Sequence, residues 1–131
     1  MQNTSQRQKI MVVEEEQKIA SSTKLTLEAN HFTAEIFTDP FLALTEFKKD
    51  SEHYNLIILD MKMFHMSAFK FMKEIKTKKP DIKILLITTF EVNPLEFSRI
   101  LPTIKIEGLV EKQYLADNII PSVNKILGLS N

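Results

Sequence analysis

Four places along this chain set a chemically able side chain directly after an apolar run: Val12-Val13-Glu14-Glu15-Glu16, Ile58-Leu59-Asp60, Leu86-Ile87-Thr88-Thr89 and Val110-Glu111-Lys112. Carboxylates hold a hard divalent cation such as Mg²⁺, while a lysine ammonium and a threonine hydroxyl meet phosphate oxygens. An aspartate carboxylate is also a nucleophile toward phosphorus. If the four segments converge, the combination suits phosphoryl chemistry. His31, His53 and His65 have no metal-ligand spacing and read as ordinary polar loop residues.

The elements that must bring these residues together follow from the hydrophobic pattern. Leu56 to Leu59 is an unbroken aliphatic run, as in a strand covered on both faces of a parallel sheet. Ile10 to Val13, Thr33 to Phe37, Ile82 to Ile87 and Gly108 to Val110 read as further strands. Between them lie helical stretches at Gln17 to Ala29, at a segment opened by Asp39-Pro40, at Ser67 to Lys78 and at Leu95 to Leu101 between Pro94 and Pro102. The last helix carries Leu115, Ile119, Val123, Ile126 and Leu127 on one stripe. Strands and helices in alternation predict an α/β domain, a three-layer doubly wound five-stranded parallel sheet of order 2-1-3-4-5. In that order the first and third strands are neighbours at the switch point, so Glu14, Glu15 and Asp60 should meet at the carboxyl edge of the sheet.

The 131 residues suit one domain. We expect a polar tail over 1–8, the folded unit over 9–128 and a short end over 129–131. Seventeen basic residues balance seventeen acidic ones, so no overall field favours nucleic acid or an anionic membrane. With no cysteine, disulfides, thiolate metal sites and a cysteine nucleophile are excluded. No apolar segment is long enough to span a bilayer, and a cytoplasmic location is expected. Only two glycines are present and none forms a phosphate loop, which argues against an α/β enzyme or nucleotide binder built on such a loop. Among Met61, Met63, Met66, Met72, Phe69 and Phe71 most should be core, whereas Phe64 should be exposed beside Asp60.

From Lys9 to Gly128, and most specifically in Leu59-Asp60-Met61-Lys62-Met63, the chain resembles the receiver domains of two-component response regulators. The resemblance implies a flavodoxin-like fold with Asp60 as phosphoacceptor. It implies a Mg²⁺ cofactor held by Glu15, Asp60 and the backbone carbonyl of Lys62, with Glu14 behind them. Thr88 then matches the switch hydroxyl and Lys112 the lysine that contacts the phosphoryl group. The implied partners are a histidine kinase or phosphotransfer protein and a downstream output protein, on a monomer or weak homodimer. Such a domain is no enzyme toward a separate substrate; at most it catalyses its own phosphorylation and dephosphorylation.

Several positions depart from the family pattern. Glu14 and Glu15 stand where aspartates are usual, and Mg²⁺ requires near-octahedral geometry at about 2.0–2.1 Å, so weak binding is expected. Phe64 and Gln113 replace prolines, and Ala68 replaces glycine. A cis bond at Lys112-Gln113 without proline would cost about 2.5–4 kcal/mol. Thr89 replaces a small residue, and Leu109 stands in the place of the switch aromatic, with Tyr114 as its candidate substitute. The alternative function these departures raise is a degenerate receiver that serves as a phosphorylation-independent interaction module.

Overall fold

A computed structural model describes residues 7–89 and 103–130. Five parallel strands form one sheet in the order β2-β1-β3-β4-β5: β1 Lys9–Val13, β2 Thr33–Phe37, β3 Leu56–Asp60, β4 Lys83–Thr88 and β5 Gly108–Glu111. The helices are α1 Gln17–Ala29, α2 Pro40–Lys49, α3 Ala68–Lys78 and α4 Leu115–Leu127. The expected helix over Leu95 to Leu101 lies outside the described residues. No helix among them is long and apolar enough to cross a membrane.

Strand parity divides the core in two. Met11, Val13, Ile57, Leu59, Ile84 and Leu86 pack with Ala43, Leu44 and Phe47 of α2 and Phe71, Met72 and Ile75 of α3. Ile10, Val12, Leu56, Ile58, Leu85, Ile87 and Val110 pack on the other face with Leu27 of α1 and Ile119 and Val123 of α4. Because both faces are covered, every residue of β3 is buried, Asp60 included. That is why its strand reads as a continuous aliphatic run.

Local chemistry sets the element ends. Asp39 accepts a hydrogen bond from Phe41 N–H at 2.9 Å, with Pro40 at the first helical position. Ser67, expected as the first residue of α3, is its cap and accepts from Phe69 N–H at 3.1 Å. Gly128 ends α4 in the left-handed conformation, φ 71°, where a side chain would be strained. β3 and β4 each run one residue past their expected ends, so Asp60 and Thr88 are the last residues of their strands. Gln8, placed in the tail by its polarity, already belongs to the fold, since its carbonyl accepts from Thr33 N–H at 2.9 Å.

At the amino edge of the sheet Tyr54 is buried against Phe47, ring centroids 5.9 Å apart. Its hydroxyl donates to the Glu35 carboxylate, which Lys9 Nζ also meets at 3.3 Å. Burial raises the Tyr54 pKa, and Glu35 adds to the shift.

At Gly108 the side chains of α4 and β4 pack directly over the β5 backbone. A β-carbon there would stand 3.0 Å from Ile126 Cδ1 and 3.0 Å from Leu85 Cδ1, so two packed side chains would have to give way. Gly108→Val is expected to lower stability by about 1–3 kcal/mol. The reading is a fall in the urea midpoint at unchanged slope, and an unchanged midpoint would show that this contact has slack.

Candidate functional site

The carboxyl edge of the sheet gathers the expected residues around one ammonium. Asp60 and Glu14 continue the parity of Ile58 and Val12, so both belong to the α1/α4 side of the edge. Lys112 continues the parity of Val110 on the same side. Its Nζ lies 3.0 Å from Asp60 Oδ2, 3.3 Å from Glu16 Oε1 and 3.5 Å from Glu14 Oε1. Asp60 Oδ1 accepts from Lys62 N–H at 3.1 Å, and Glu14 Oε2 from Glu16 N–H at 3.0 Å. Asp60 and Glu14 are only 2 % and 4 % exposed.

Burial dominates the electrostatics. It drives the Glu14 pKa from 4.5 up to about 7, against the opposing Glu16 N–H bond and with added repulsion from Asp60 that Lys112 offsets only in part. Burial also works to lower the Lys112 pKa, but the Asp60 hydrogen bond and the charges of Asp60 and Glu14 outweigh it and hold the ammonium above the ordinary lysine range. Lys112 therefore stays cationic.

Glu15 goes elsewhere. It has the parity of Val13, which faces α2 and α3, and its side chain meets the loop between β3 and α3. Oε1 accepts from Phe64 N–H at 2.8 Å, Oε2 from His65 N–H at 3.2 Å, and His65 Nδ1 lies 3.0 Å from Oε2. Burial works to raise the Glu15 pKa, but these hydrogen bonds prevail and lower it. The donor types suit Mg²⁺, yet their placement does not. Both Glu15 oxygens are engaged by the loop, Lys112 sits among the remaining carboxylates, and no group of three acidic or histidine side chains among the described residues is placed to hold an ion.

The remaining expectations divide. Thr88 closes β4 buried, opposite Glu111, and makes no hydrogen bond to Asp60 among the described residues. The Thr89 hydroxyl is buried without a partner among the described residues. Lys112–Tyr114 forms a single 3₁₀ turn, and no described peptide bond is cis. Leu109 and Tyr114 are each 51 % exposed, and Phe64 is 83 % exposed as expected. A groove of about 320 Å³ between α1 and α4 opens beside Lys112. Two roles were not expected from the residues: Glu16 as a Lys112 partner, and His65 as a partner of Glu15. The strand-edge position of the Glu14 to Glu16 run was the available signal for the first; a loop histidine gave none for the second.

Because Glu14 holds its proton more tightly when folded, the folded chain binds more protons than the unfolded one between about pH 4.5 and 7. Stability from this group is present on the acid side and is lost as pH rises through that window, by on the order of 3 kcal/mol. Glu14→Gln, which mimics the protonated carboxyl, should flatten that fall and leave the variant more stable than the parent above pH 7 in urea unfolding. An unchanged pH slope would remove Glu14 as its source. Separately, Glu15→Ala should speed amide exchange at Phe64 and His65 by about tenfold or more, the equivalent of about 1.4 kcal/mol in local opening; unchanged exchange would mean the loop is held by other contacts.

A family model for the response regulator receiver domain matches residues 10–124. Among solved structures, a response regulator receiver domain protein from Clostridium thermocellum superposes with a TM-score of 0.82 at 21% identity, over 92% of this chain and 94% of that one. The chemotaxis protein CheY4 of Vibrio cholerae gives 0.80 at 21% identity, over 92% and 98%. The non-phosphorylated HemR receiver domain of Leptospira biflexa gives 0.82 at 17% identity, over 95% and 98%. At these identities the superpositions establish the fold, and the match across most of the chain establishes the family: this chain belongs to the response regulator receiver domains.

Proposed function

We propose that Asp60 accepts a phosphoryl group from a phosphohistidine of a kinase or phosphotransfer protein, and that the resulting acyl phosphate alters binding of an output partner. The observation that supports this most is the Lys112 ammonium at 3.0 Å from Oδ2 of the buried Asp60. A carboxylate oxygen attacks phosphorus, a P–O bond forms, and the P–N bond breaks with its electron pair left on the imidazole nitrogen. Negative charge gathers on the phosphoryl oxygens as this happens, and a fixed ammonium offsets it. Glu14, protonated part of the time near neutral pH, presents less negative charge to the incoming group than an ionised carboxylate would. Beyond this self-modification no enzyme activity is proposed.

For output, Leu109 and Tyr114 are exposed on β5 and the turn that follows it. Leu109 offers no ring to bury in one state and expose in another, so we propose a modest change on that face. A modification shifts an equilibrium only by its differential interaction with the two states.

Incubation with acetyl phosphate, or with a phosphohistidine donor, should add one phosphoryl mass to the intact chain, and Asp60→Asn should abolish the gain. Lys112→Ala should slow it by about 10²-fold while thermal unfolding shows a retained fold. A wild-type chain that stays unmodified with either donor would favour the interaction module that needs no phosphorylation.

A further inference from the structure

The amino edge of the sheet, opposite Asp60, carries a cleft of about 380 Å³ between the last turns of α3 and the segment leading into β5. Lys73, Lys76, Thr77, Pro80, Ile104 and Lys105 line it together with Thr103, and no carboxylate among the described residues does. Two neighbouring lysines are paired: Lys48 with Glu74 at 2.6 Å, and Lys79 with Glu52 at 3.2 Å and Asp81 at 3.3 Å. Lys73 and Lys105 have no carboxylate within 4.0 Å among the described residues.

Lys76 is fixed at the wall, its Nζ donating to the Ile82 carbonyl at 2.7 Å. Burial lowers its pKa and Lys105 pushes in the same direction; Glu107 and Asp81 oppose this without reversing it. Those two carboxylates are themselves engaged, Glu107 by Ile84 N–H at 2.8 Å and Asp81 by Lys79. Three lysines thus line one concavity with no carboxylate among its described lining residues and with Glu107 and Asp81 offsetting Lys76 only in part, an arrangement that a bound anion would relieve.

We propose that this cleft binds a small organic phosphate of at least two negative charges, with the phosphates on Lys73, Lys76 and Lys105 and the organic body over Pro80 and Ile104. The size supports an organic body, since sites for small organic molecules occupy about 300–1,000 Å³. Thr77 supports a ligand hydroxyl: its own proton is given to the Lys73 carbonyl at 2.8 Å, so its oxygen is offered as an acceptor. Side chains, not a glycine-rich loop, supply the grip. The site is independent of Asp60 and its phosphorylation.

The test is a titration of the full chain with ADP and, separately, with pyrophosphate, followed by amide chemical shifts. ADP should shift amides around 73–77 and 103–106 saturably. Lys73→Glu/Lys105→Glu, a change at two exposed side chains, should weaken binding at least tenfold with the rest of the spectrum intact. The milder Lys105→Gln should show a smaller loss in the same direction. Absence of saturable shifts at millimolar ADP, shifts that map elsewhere, undiminished affinity in the charge-reversed variant, or pyrophosphate binding as tightly as ADP would each overturn the proposal.

Discussion

Two carboxyl groups nearly out of water, those of Asp60 and Glu14, are held together by one ammonium, and the carboxyl edge of this domain is organised around that triad. Buried like charges repel strongly, and the chain answers in two ways at once. Lys112 supplies a cation at 3.0 Å, and the Glu14 proton is retained to about pH 7. Each answer depends on burial: an exposed Lys112 would be screened, and an exposed Glu14 would ionise. The closure of α1 and α4 over the sheet is therefore part of the site's electrostatics as well as of its packing.

Parity then decides which carboxylate does what. Glu14 and Glu15 are adjacent, yet one joins Asp60 and the other reaches the loop between β3 and α3, because the strand's alternation continues past Val13. Hydrogen bonding marks that continuation, since Glu14 N–H still donates to the Phe37 carbonyl at 3.0 Å. The Glu15 side chain spans the gap to Phe64 and His65. The two adjacent glutamates thereby acquire distinct tasks, a buried partner for Asp60 and a tie across two loops.

Most of the fold was legible because its signals are local. Unbroken aliphatic runs such as Leu56 to Leu59 announce a doubly covered sheet, and Asp39-Pro40 and the Leu115 to Leu127 stripe announce helices. Strand ends were read one residue short at Asp60 and Thr88, since a polar residue that closes a buried strand looks like the start of a loop. Asp60, Glu14 and Lys112 were legible as a group from their shared place after apolar runs. The partition of Glu15 and Glu16 was not, because side-chain direction beyond a strand's end depends on what the neighbouring loops offer. The basic cleft was equally hidden: Lys73 and Lys76 share one helix while Lys105 is far from them in sequence, and only the packing of α3 beside the approach to β5 joins them.

The two tyrosines sit in opposite circumstances in a chain that has no tryptophan. Tyr54 is buried with its hydroxyl on the Glu35 carboxylate, an arrangement in which an excited phenol gives up its proton and emits little. Tyr114 is half exposed, two residues beyond Lys112 on the same 3₁₀ turn. Ultraviolet emission from the folded chain is therefore expected mainly from Tyr114. The turn whose lysine meets Asp60 thus holds an unlabelled optical reporter of its own.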